Sequence, residues 1–438
     1  MHFDTSRLCK IVNERYIISN MPHNYLHRAA DETLTAMLSA MGAVLLEGPK
    51  AAGKTSTATQ FAKTIVRLDS DHKMREMAEI EPGLLLNQPA PVAIDEWQLV
   101  PDIWNLVRHE VDRRRLPGQF ILTGSATPLD DPKFRRHSGA GRFGRLRMRP
   151  MSLFESQISN GAVSLEALFN GDFVPTLGER VGLQVVTEVI ARGGWPSLFE
   201  QTYDTSRFWH QGYLDTVVEI EIPALGSRRD PRSVTRLMTA IAKSTGSAVS
   251  YSTLAKLAGG EEPFATPTVK GYLETLDRLM LLEELPAWTP SMRSTTPLRK
   301  VPKRYLVDPS LAAQLLGGGP QRLIKELPML GQLFENLVVR DLLVYGQPLF
   351  ARLYHWRDSN DHEVDLVIEL LDGRWGAFEV KLNPNQVGAA ANSLLRFKNK
   401  VNTELAGEPA FLGVIVSDGP AYQRKDGIFV LPITALGP

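Results

Sequence analysis

Residues 48–55 read Gly48-Pro49-Lys50-Ala51-Ala52-Gly53-Lys54-Thr55, which matches the pattern G-x-x-x-x-G-K-[ST], and they follow a short apolar run at residues 42–46. In such a loop, consecutive backbone N–H groups surround a phosphate, and the following helix directs its positive end at the anion. Apolar residues at helical spacing from Ala58 to Ile65 predict that helix. The stretch therefore predicts an α/β fold that begins with a strand, a phosphate-binding loop and a helix.

The same pattern assigns roles to individual residues. We expect Lys54 to reach the β- and γ-phosphates of ATP and to act in catalysis, and Thr55 to give its hydroxyl to Mg²⁺. The predicted nucleotide-binding residues are Gly48, Pro49, Lys50, Ala51, Ala52, Gly53, Lys54, Thr55 and Ser56. ATP and Mg²⁺ are therefore the predicted cofactors.

An acidic pair follows a second apolar run further along the chain, in Pro91-Val92-Ala93-Ile94-Asp95-Glu96. Phosphoryl transfer requires a carboxylate for the metal and a group that positions the attacking water. We expect Asp95 to hold Mg²⁺ through water and Glu96 to orient the water that attacks. The alternative is an acidic pair that only caps a buried strand.

A third strand is predicted at residues 119–123, and it ends in Gly124-Ser125. A small polar side chain is thereby placed at the carboxyl edge of the predicted sheet. Ser125, or Thr123 before it, is a candidate for sensing the γ-phosphate, and ordinary capping of the strand end is the alternative.

Composition limits the class of protein. A chain of 438 residues exceeds one typical core and predicts two or three domains. Its 49 Lys and Arg balance 49 Asp and Glu, so net charge gives no argument for nucleic acid, and only local basic clusters do. The single cysteine, Cys9, excludes an intramolecular disulfide framework and a cysteine-rich zinc site, and it fits a reducing compartment. With no apolar segment long enough to span a membrane and no signal-peptide pattern, we expect a cytoplasmic protein without a membrane partner.

A basic, glycine-containing cluster follows the third predicted strand, from Arg135 to Arg149. In ring-forming ATPases an arginine of one subunit reaches the γ-phosphate bound by its neighbour. Arg142 and Arg145 are candidates for that arginine, which predicts a homo-oligomeric ring, for instance a hexamer. Alternation of arginine with apolar residues from Arg145 onward is also typical of an edge strand with one solvated face.

The middle of the chain predicts helices. Residues 161–232 have the pattern of a helical connector, and helical periodicity recurs at residues 234–243, 252–257 and 266–282. A basic stretch in strand-like surroundings follows, with Arg293, Arg299, Lys300, Lys303 and Arg304. Three helices and a basic wing predict a winged helix that binds nucleic acid. The alternative is a winged helix that serves subunit packing.

The last third contains two strand patterns that flank Asp372-Gly373, which predicts a β-hairpin. Apolar residues at even numbers on both strands must share one face, so odd-numbered residues share the other. Asp365, Glu379 and Lys381 then converge, provided that the loop has an odd length or a bulge. Two carboxylates and a lysine predict a catalytic site for metal-dependent hydrolysis, in which the carboxylates hold Mg²⁺.

Glu335 is predicted to complete this metal site. It lies at the edge of the apolar stripe of a helix predicted at residues 330–344. Its alternative is an exposed acidic position, and for the hairpin the alternative is a surface ladder of salt bridges.

The chain resembles bacterial AAA-type ATPases whose C-terminal half is a winged helix followed by a PD-(D/E)xK, restriction-endonuclease-like domain. The resemblance rests on residues 48–55, Ile94-Asp95-Glu96-Trp97-Gln98-Leu99-Val100-Pro101, Leu122-Thr123-Gly124-Ser125, Gly141-Arg142, Arg149-Pro150-Met151-Ser152-Leu153, Arg304-Tyr305-Leu306-Val307-Asp308-Pro309-Ser310-Leu311 and Phe378-Glu379-Val380-Lys381. The chain departs from the family at Lys50, where family members often have an arginine, but the positive charge is kept.

The resemblance implies an AAA-type ATPase domain at residues 1–160, a helical connector at 161–232, a winged helix at 233–320 and an α/β nuclease-like domain at 321–438. Two functions remain open. One is an oligomeric ATPase that acts on DNA or RNA, with a Mg²⁺-dependent nuclease in its C-terminal domain. The other is an ATP-dependent switch or remodeller whose last two domains only bind a partner or nucleic acid.

Overall fold

The computed structural model describes residues 25–124, 139–177, 181–225, 230–259, 263–290 and 300–438. Within these ranges the chain forms a mixed α/β structure with two main sheets. The first sheet lies in the N-terminal part and the second in the C-terminal part, and helices connect them.

The N-terminal sheet is entirely parallel and has the strand order β2-β3-β4-β1-β5. Its strands are β1 (Ala43–Glu47), β2 (Thr64–Arg67), β3 (Val92–Asp95), β4 (Phe120–Gly124) and β5 (Phe143–Arg147). Strands β3 and β4 are buried at every residue, because a parallel sheet covered on both faces consists of continuous apolar runs. The strands predicted around residues 42–46, 91–94 and 119–123 are thus present.

Helices cover both faces of this sheet. They are α1 (Ala30–Ala40), α2 (Lys54–Phe61), α3 (His72–Ile80), α4 (Pro82–Leu86) and α5 (Ile103–Arg114). One face packs against Ile103, Val107 and Val111 of α5, and the other against Leu34 of α1 and Ala58 of α2.

The helix predicted after the loop is shorter than expected, and its extension to Ile65 is wrong. Helix α2 ends at Phe61, and β2 begins at Thr64. The run Thr64-Ile65-Val66 is β-branched throughout, which favours a strand over the end of a helix.

The central part is helical. It starts with β6 (Val163–Ser164) and α6 (Leu165–Asn170) and continues with α7 (Leu183–Arg192), α8 (Tyr203–Thr216), a π-helical turn (Val217–Glu221) and α9 (Ile222–Ala224). Three helices follow, namely α10 (Pro231–Lys243), α11 (Tyr251–Gly259) and α12 (Thr266–Arg278). A two-stranded antiparallel hairpin, β7 (Leu282–Leu285) and β8 (Lys303–Leu306), completes the part. The three predicted helices are present, and the last one ends before residue 282.

The C-terminal part is built on a six-stranded mixed sheet of order β13-β14-β12-β11-β10-β9. Its strands are β9 (Arg352–Arg357), β10 (Glu363–Glu369), β11 (Trp375–Lys381), β12 (Phe411–Val416), β13 (Tyr422–Gln423) and β14 (Phe429–Pro432), and β15 (Leu436–Gly437) pairs with β6. The helices are α13 (Pro309–Leu315), α14 (Pro320–Leu323), α15 (Leu327–Tyr345), α16 (Val387–Lys398) and α17 (Thr403–Ala406). None of the helices in the described parts of the chain combines the length and the apolarity that crossing a bilayer requires.

One apolar cluster joins the central helices to the C-terminal sheet. It runs from Leu153 to Leu436 and includes side chains of α10, α12, α15 and the inner face of the sheet. The outer face of the sheet packs separately against α16. The central and C-terminal parts therefore share a core, and side chains of one are fixed firmly against the other.

Candidate functional site

The predicted phosphate-binding loop lies between β1 and α2, at the carboxyl edge of the parallel sheet. Gly53 has a φ of 96°, in the left-handed region, directly before α2 begins at Lys54. At Gly48, a Cβ atom would collide with the main-chain oxygen of Met148. Both glycines are thus required by the loop geometry, and the first turn of α2 points into the loop.

The ammonium of Lys54 is folded back onto the loop. Its Nζ donates to the carbonyl oxygens of Gly48 and Pro49, each at 2.9 Å. Burial lowers the pKa of Lys54 to about 8, although Glu96 and Asp95 act in the opposite direction. Neutral carbonyls compensate a buried ammonium only partly, so an anionic phosphate would be a better partner for it.

Thr55 and Asp95 meet where a metal ion is predicted. The hydroxyl of Thr55 donates to Oδ1 of Asp95 at 2.8 Å, and the hydroxyl of Thr123 donates to the same oxygen. Mg²⁺ prefers hard oxygen ligands and retains several of its waters, and a hydroxyl beside a carboxylate supplies that donor chemistry. These residues fit the predicted metal, and Thr123, the second candidate at the strand end, contacts the site.

Glu96 follows β3 with a φ of 54°, which is unusual for a residue other than glycine. Its backbone N–H donates to the hydroxyl of Thr123 at 3.4 Å, and the side-chain amide of Gln98 donates to its carboxylate. Strained backbone at such a position is frequent in functional sites. Sequence reasoning did not single out Gln98 as a partner of Glu96, and Ser125 lies outside the described residues.

Arg28 is a second residue that the sequence analysis missed. Its guanidinium donates to the carbonyl of Ala52 in the loop at 2.7 Å, to Glu155 at 2.9 Å and to the carbonyl of Arg149 at 2.6 Å. It therefore ties the loop to the segment after β5. A pocket of about 360 Å³ opens beside it, and Tyr25, Thr55 and Gln60 are among its lining residues. No sequence pattern marks Arg28, because the partners of its guanidinium are distant in the chain.

The tip of the loop contacts the central helices. Nζ of Lys50 lies 2.6 Å from Oε1 of Glu221, and the hydroxyl of Tyr213 donates to the carbonyl of Lys50 at 3.4 Å. Lys50, predicted to bind phosphate, thus forms an ion pair with the π-helical turn of the central part.

The candidate arginine finger lies far from the loop of its own chain. Arg142 directly precedes β5, at the amino edge of the sheet, whereas the loop is at the carboxyl edge. Its guanidinium binds Asp112 at 2.9 Å, and both side chains are about two-fifths exposed. Arg145 is exposed and binds Glu47 at 2.9 Å. Strand β5 is an edge strand, as the alternation of arginine with apolar residues predicts.

Asp365, Glu379 and Lys381 converge on one side of the β10–β11 hairpin, as predicted. Glu369 pairs with Trp375, so the connecting loop spans residues 370–374 and has an odd length. Nζ of Lys381 lies 2.7 Å from Oε2 of Glu379 and 3.2 Å from Oδ2 of Asp365. The same Asp365 oxygen accepts a hydrogen bond from the backbone N–H of Val380 at 2.8 Å.

Glu335 of α15 joins this group through a lysine that the sequence analysis assigned to a basic surface. Nζ of Lys303, on β8, lies 3.0 Å from Glu335, 2.5 Å from Glu363 and 3.6 Å from Asp365. The hydroxyl of Tyr305 also donates to Glu335, at 2.7 Å. We call Lys303, Glu335, Glu363, Asp365, Glu379 and Lys381 the C-terminal charge cluster.

Burial and pairing set the protonation of this cluster. Burial raises the pKa of Glu335 to about 7 and that of Glu379 to about 8, and the nearby charge of Asp365 adds to both shifts. Burial also acts to raise the pKa of Asp365, but Lys303 and Lys381 outweigh it and hold that pKa at about 2. Burial opposes the charge of Lys303, yet its acidic neighbours hold its pKa well above the ordinary value.

The predicted metal ligands Glu335, Asp365 and Glu379 do not surround a position for a metal ion. Over the residues that the structure describes, no group of three His, Cys, Asp or Glu has an arrangement that would hold one. Lysine ammonium groups lie between these carboxylates. In this arrangement the cluster does not fit Mg²⁺.

Lys303 and Arg304 are buried, with 1% and 2% of their surface exposed, so they do not contribute to a basic surface. Arg304 binds Glu284 at 2.6 Å on the neighbouring strand β7. Arg293 and Arg299 of the same predicted stretch lie outside the described residues.

A buried ionic network connects two of the stretches on which the family resemblance rests, residues 149–153 and 304–311. Arg340 of α15 binds Asp308 at 2.9 Å and Asp341 at 2.7 Å, with all three side chains almost fully enclosed. The backbone N–H of Gly194 donates to Asp308, and that of Leu153 donates to Asp341, each at 3.0 Å. The segments around residues 153, 194, 308 and 340 therefore meet at one structural joint.

The loop site lies within a region that matches a known family. Residues 41–157 match a family described as an AAA domain. The N-terminal part, with its parallel sheet, is therefore AAA-like. The loop, the Thr55–Asp95 pair and Glu96 all belong to this AAA domain. Residues 183–322 and 330–436 match two families described as domains of unknown function, DUF8612 and DUF4143.

Two curated relatives extend over most of the chain. The uncharacterized proteins Rv2008c of Mycobacterium tuberculosis and Mb2031c of Mycobacterium bovis are each 28% identical over 381 residues, which cover 86% of this chain and 76% of theirs. A solved structure, the Orc1 protein of Aeropyrum pernix in complex with DNA, aligns with 72% of this chain and 97% of its own at 14% identity and a TM-score of 0.26.

Proposed function

We propose that the protein binds and hydrolyses ATP at the loop of its AAA domain. The observation that carries this proposal is the geometry around Lys54, whose buried ammonium donates to neutral carbonyls within the described residues, beside a Thr55–Asp95 pair with the hard oxygen ligands that Mg²⁺ prefers. Bound Mg²⁺ would be held by Thr55 and Asp95 and would neutralise phosphate charge.

The other residues of the site have distinct roles in this proposal. Lys54 binds the phosphates, and Glu96, oriented by Gln98, holds the attacking water. Arg142 acts on the site of a neighbouring subunit, because it lies at the opposite edge of the sheet from its own loop. A homo-oligomeric ring follows from that role.

Phosphate release from ATP tests this function. We expect turnover in the wild type and none in Lys54→Ala, whereas Lys63→Ala, which removes an exposed lysine just after α2, should retain it. Equal turnover in the wild type and Lys54→Ala, or none in either, would disprove hydrolysis at this loop. Mixing Arg142→Ala with Lys54→Ala subunits should restore turnover if Arg142 acts in trans.

Nucleic acid is the proposed partner. Three helices followed by an antiparallel hairpin support a winged helix at residues 231–306. Because Lys303 and Arg304 are buried, we choose Lys256 and Lys270, two of the exposed lysines of this part, as candidates for phosphate contacts. Electrophoretic mobility shifts of labelled DNA and RNA should weaken in the double variant Lys256→Ala, Lys270→Ala.

A nuclease is the second candidate function, because Asp365, Glu379 and Lys381 converge beside a pocket of about 700 Å³, but a Mg²⁺-dependent reaction there would first require Lys303 to leave the carboxylates. The competing candidate is an ATP-dependent switch that only binds its partner. Labelled DNA and RNA should be incubated with Mg²⁺, with and without ATP. Cleavage by the wild type and by Glu404→Ala, an exposed control, but not by Asp365→Ala would establish the nuclease. ATP turnover without any cleavage would establish the switch.

A further inference from the structure

Lys303 has an unusual position for a basic residue. Its side chain is 2% exposed, and its ammonium lies within 3.6 Å of three carboxylates, those of Glu335, Glu363 and Asp365. A lysine ammonium has three N–H donors and no acceptor. Glu335 accepts a hydrogen bond from Lys303, and Glu363 and Asp365 add ion pairs, so this nearly buried ammonium has three acidic partners.

The lysine and its partners come from different parts of the chain. Lys303 lies on β8, in the part that matches the family at residues 183–322, whereas Glu335, Glu363 and Asp365 lie on α15 and β10, in the part that matches the family at 330–436. Tyr305, two residues further along β8, donates to Glu335 as well. The central hairpin thus supplies both a cation and a hydroxyl to the acidic edge of the C-terminal sheet.

The contacts are those that a bound cation would make. A divalent ion in this group would need oxygens of the same carboxylates at about 2.0–2.6 Å. The ammonium already lies between these oxygens, and Lys381 binds the remaining carboxylate, that of Glu379, at 2.7 Å. A metal ion and the ammonium of Lys303 cannot occupy this space together, because both positive charge and volume would conflict.

We propose that Lys303 is a built-in cation that replaces a divalent metal ion in the C-terminal charge cluster. While β8 is docked, the cluster is closed to Mg²⁺ and Mn²⁺, and it acts as an ionic joint between the central hairpin and the C-terminal sheet. The inference does not depend on ATP hydrolysis and is tested without any activity assay.

Binding of Mn²⁺ to the full-length, nucleotide-free protein tests the proposal. Electron paramagnetic resonance gives the amount of free Mn²⁺ during titration of the wild type, Asp365→Asn, Lys303→Met and the double variant Lys303→Met, Asp365→Asn. The Asp365→Asn substitution alters only the C-terminal charge cluster. A difference in Mn²⁺ binding between the wild type and Asp365→Asn therefore reports on the cluster and not on ions held by Thr55 and Asp95. Lys256→Met, at an exposed position of α11, is the control for loss of a lysine.

We expect the wild type, Lys256→Met and Asp365→Asn to bind Mn²⁺ equally. Lys303→Met should gain one Mn²⁺ site that binds at least tenfold more tightly than the residual Mn²⁺ binding of the wild type. The double variant should lack this site. The gained site should also raise the thermal unfolding midpoint of Lys303→Met when Mn²⁺ is added, because a ligand stabilises the state that binds it.

Two results would overturn the proposal. One is a Mn²⁺ site in the wild type that Asp365→Asn removes. This result requires no substitution at Lys303. The other is a folded Lys303→Met, judged by circular dichroism, whose Mn²⁺ binding equals that of the wild type. If Lys303→Met does not fold, Lys303→Gln replaces it, and the comparison of the wild type with Asp365→Asn still decides the question.

Discussion

The loop of the AAA domain and the C-terminal charge cluster both combine buried lysines with carboxylates, yet they pair them differently. In the loop, Lys54 donates to main-chain carbonyls, and Asp95 accepts from hydroxyls. In the cluster, Lys303 and Lys381 bind carboxylates directly. Within the described ranges, the first arrangement gives the lysine and Asp95 no oppositely charged hydrogen-bond partner, which suits a site that receives an anion and a cation. The second is neutralised within the protein.

The largest expected effect concerns stability. Lys303→Met leaves several buried carboxylates without their cation and should lower the free energy of unfolding by about 3–5 kcal/mol. Lys54→Met removes an ammonium with only carbonyl partners, so we expect a change of about 0–1 kcal/mol. Urea unfolding of the nucleotide-free variants, followed by circular dichroism, measures both.

Lys256→Met, at an exposed position, should unfold at the wild-type urea concentration. An equal loss of stability in Lys54→Met and Lys303→Met would contradict the difference in pairing between the loop and the C-terminal charge cluster.

The next effect concerns catalysis at the AAA domain. Glu96→Gln keeps the size of the side chain but removes the carboxylate that we propose holds the attacking water. Turnover should fall by about 100-fold or more, whereas ATP affinity should stay within a few-fold of the wild type. Phosphate release and fluorescent-nucleotide titration measure the two quantities.

Asp102→Asn, at an exposed position before α5, is the matched control and should turn over ATP normally. Loss of ATP binding in Glu96→Gln, rather than of turnover, would assign this residue to nucleotide binding.

A smaller effect follows from the lowered pKa of Lys54, which is about 8. Above that pH the nucleotide-free site holds a neutral amine, while bound phosphate would keep the ammonium charged. Binding must then take up a proton, so ATP affinity should fall as pH rises above 8, by up to about tenfold per pH unit. Calorimetry in buffers of different ionisation enthalpy measures the affinity and the proton uptake together.

Lys63→Ala should show the same slope as the wild type. An affinity that stays constant from pH 7.5 to 9.5 would mean that Lys54 is already charged in the empty site, as the lysines of the C-terminal charge cluster are.

The smallest effect concerns the contact between the loop tip and the central helices. Lys50 is 47% exposed, so its ion pair with Glu221 should contribute only about 0.2–1 kcal/mol. A double-mutant cycle of Lys50→Ala and Glu221→Ala on thermal stability measures the coupling. A coupling energy between Lys50 and Glu221 as large as the stability loss expected for Lys303→Met would mean that solvent does not weaken the exposed ion pair relative to the buried one.

Patterns contiguous in sequence predicted their structures well. The glycine and lysine spacing at residues 48–55 gave the loop, and the alternation of apolar residues in β10 and β11 gave the convergence of Asp365, Glu379 and Lys381. These features are decided by neighbouring residues, because a loop or hairpin repeats a fixed backbone geometry. The end of α2 was missed, because Ile65 continues the helical spacing of apolar residues although the β-branched run around it favours a strand.

The sequence by itself determined the strand, loop and helix of the AAA domain and the register of the C-terminal hairpin. Only the tertiary structure decided the role of Lys303, which appeared to belong to a basic surface, and those of Arg28 and Gln98. The physical reason is that burial and ion pairing depend on distant segments: Glu335 and Asp365 reach Lys303 through the shared core of the central and C-terminal parts. A charged side chain has the same letter in the sequence whether it faces solvent or three carboxylates.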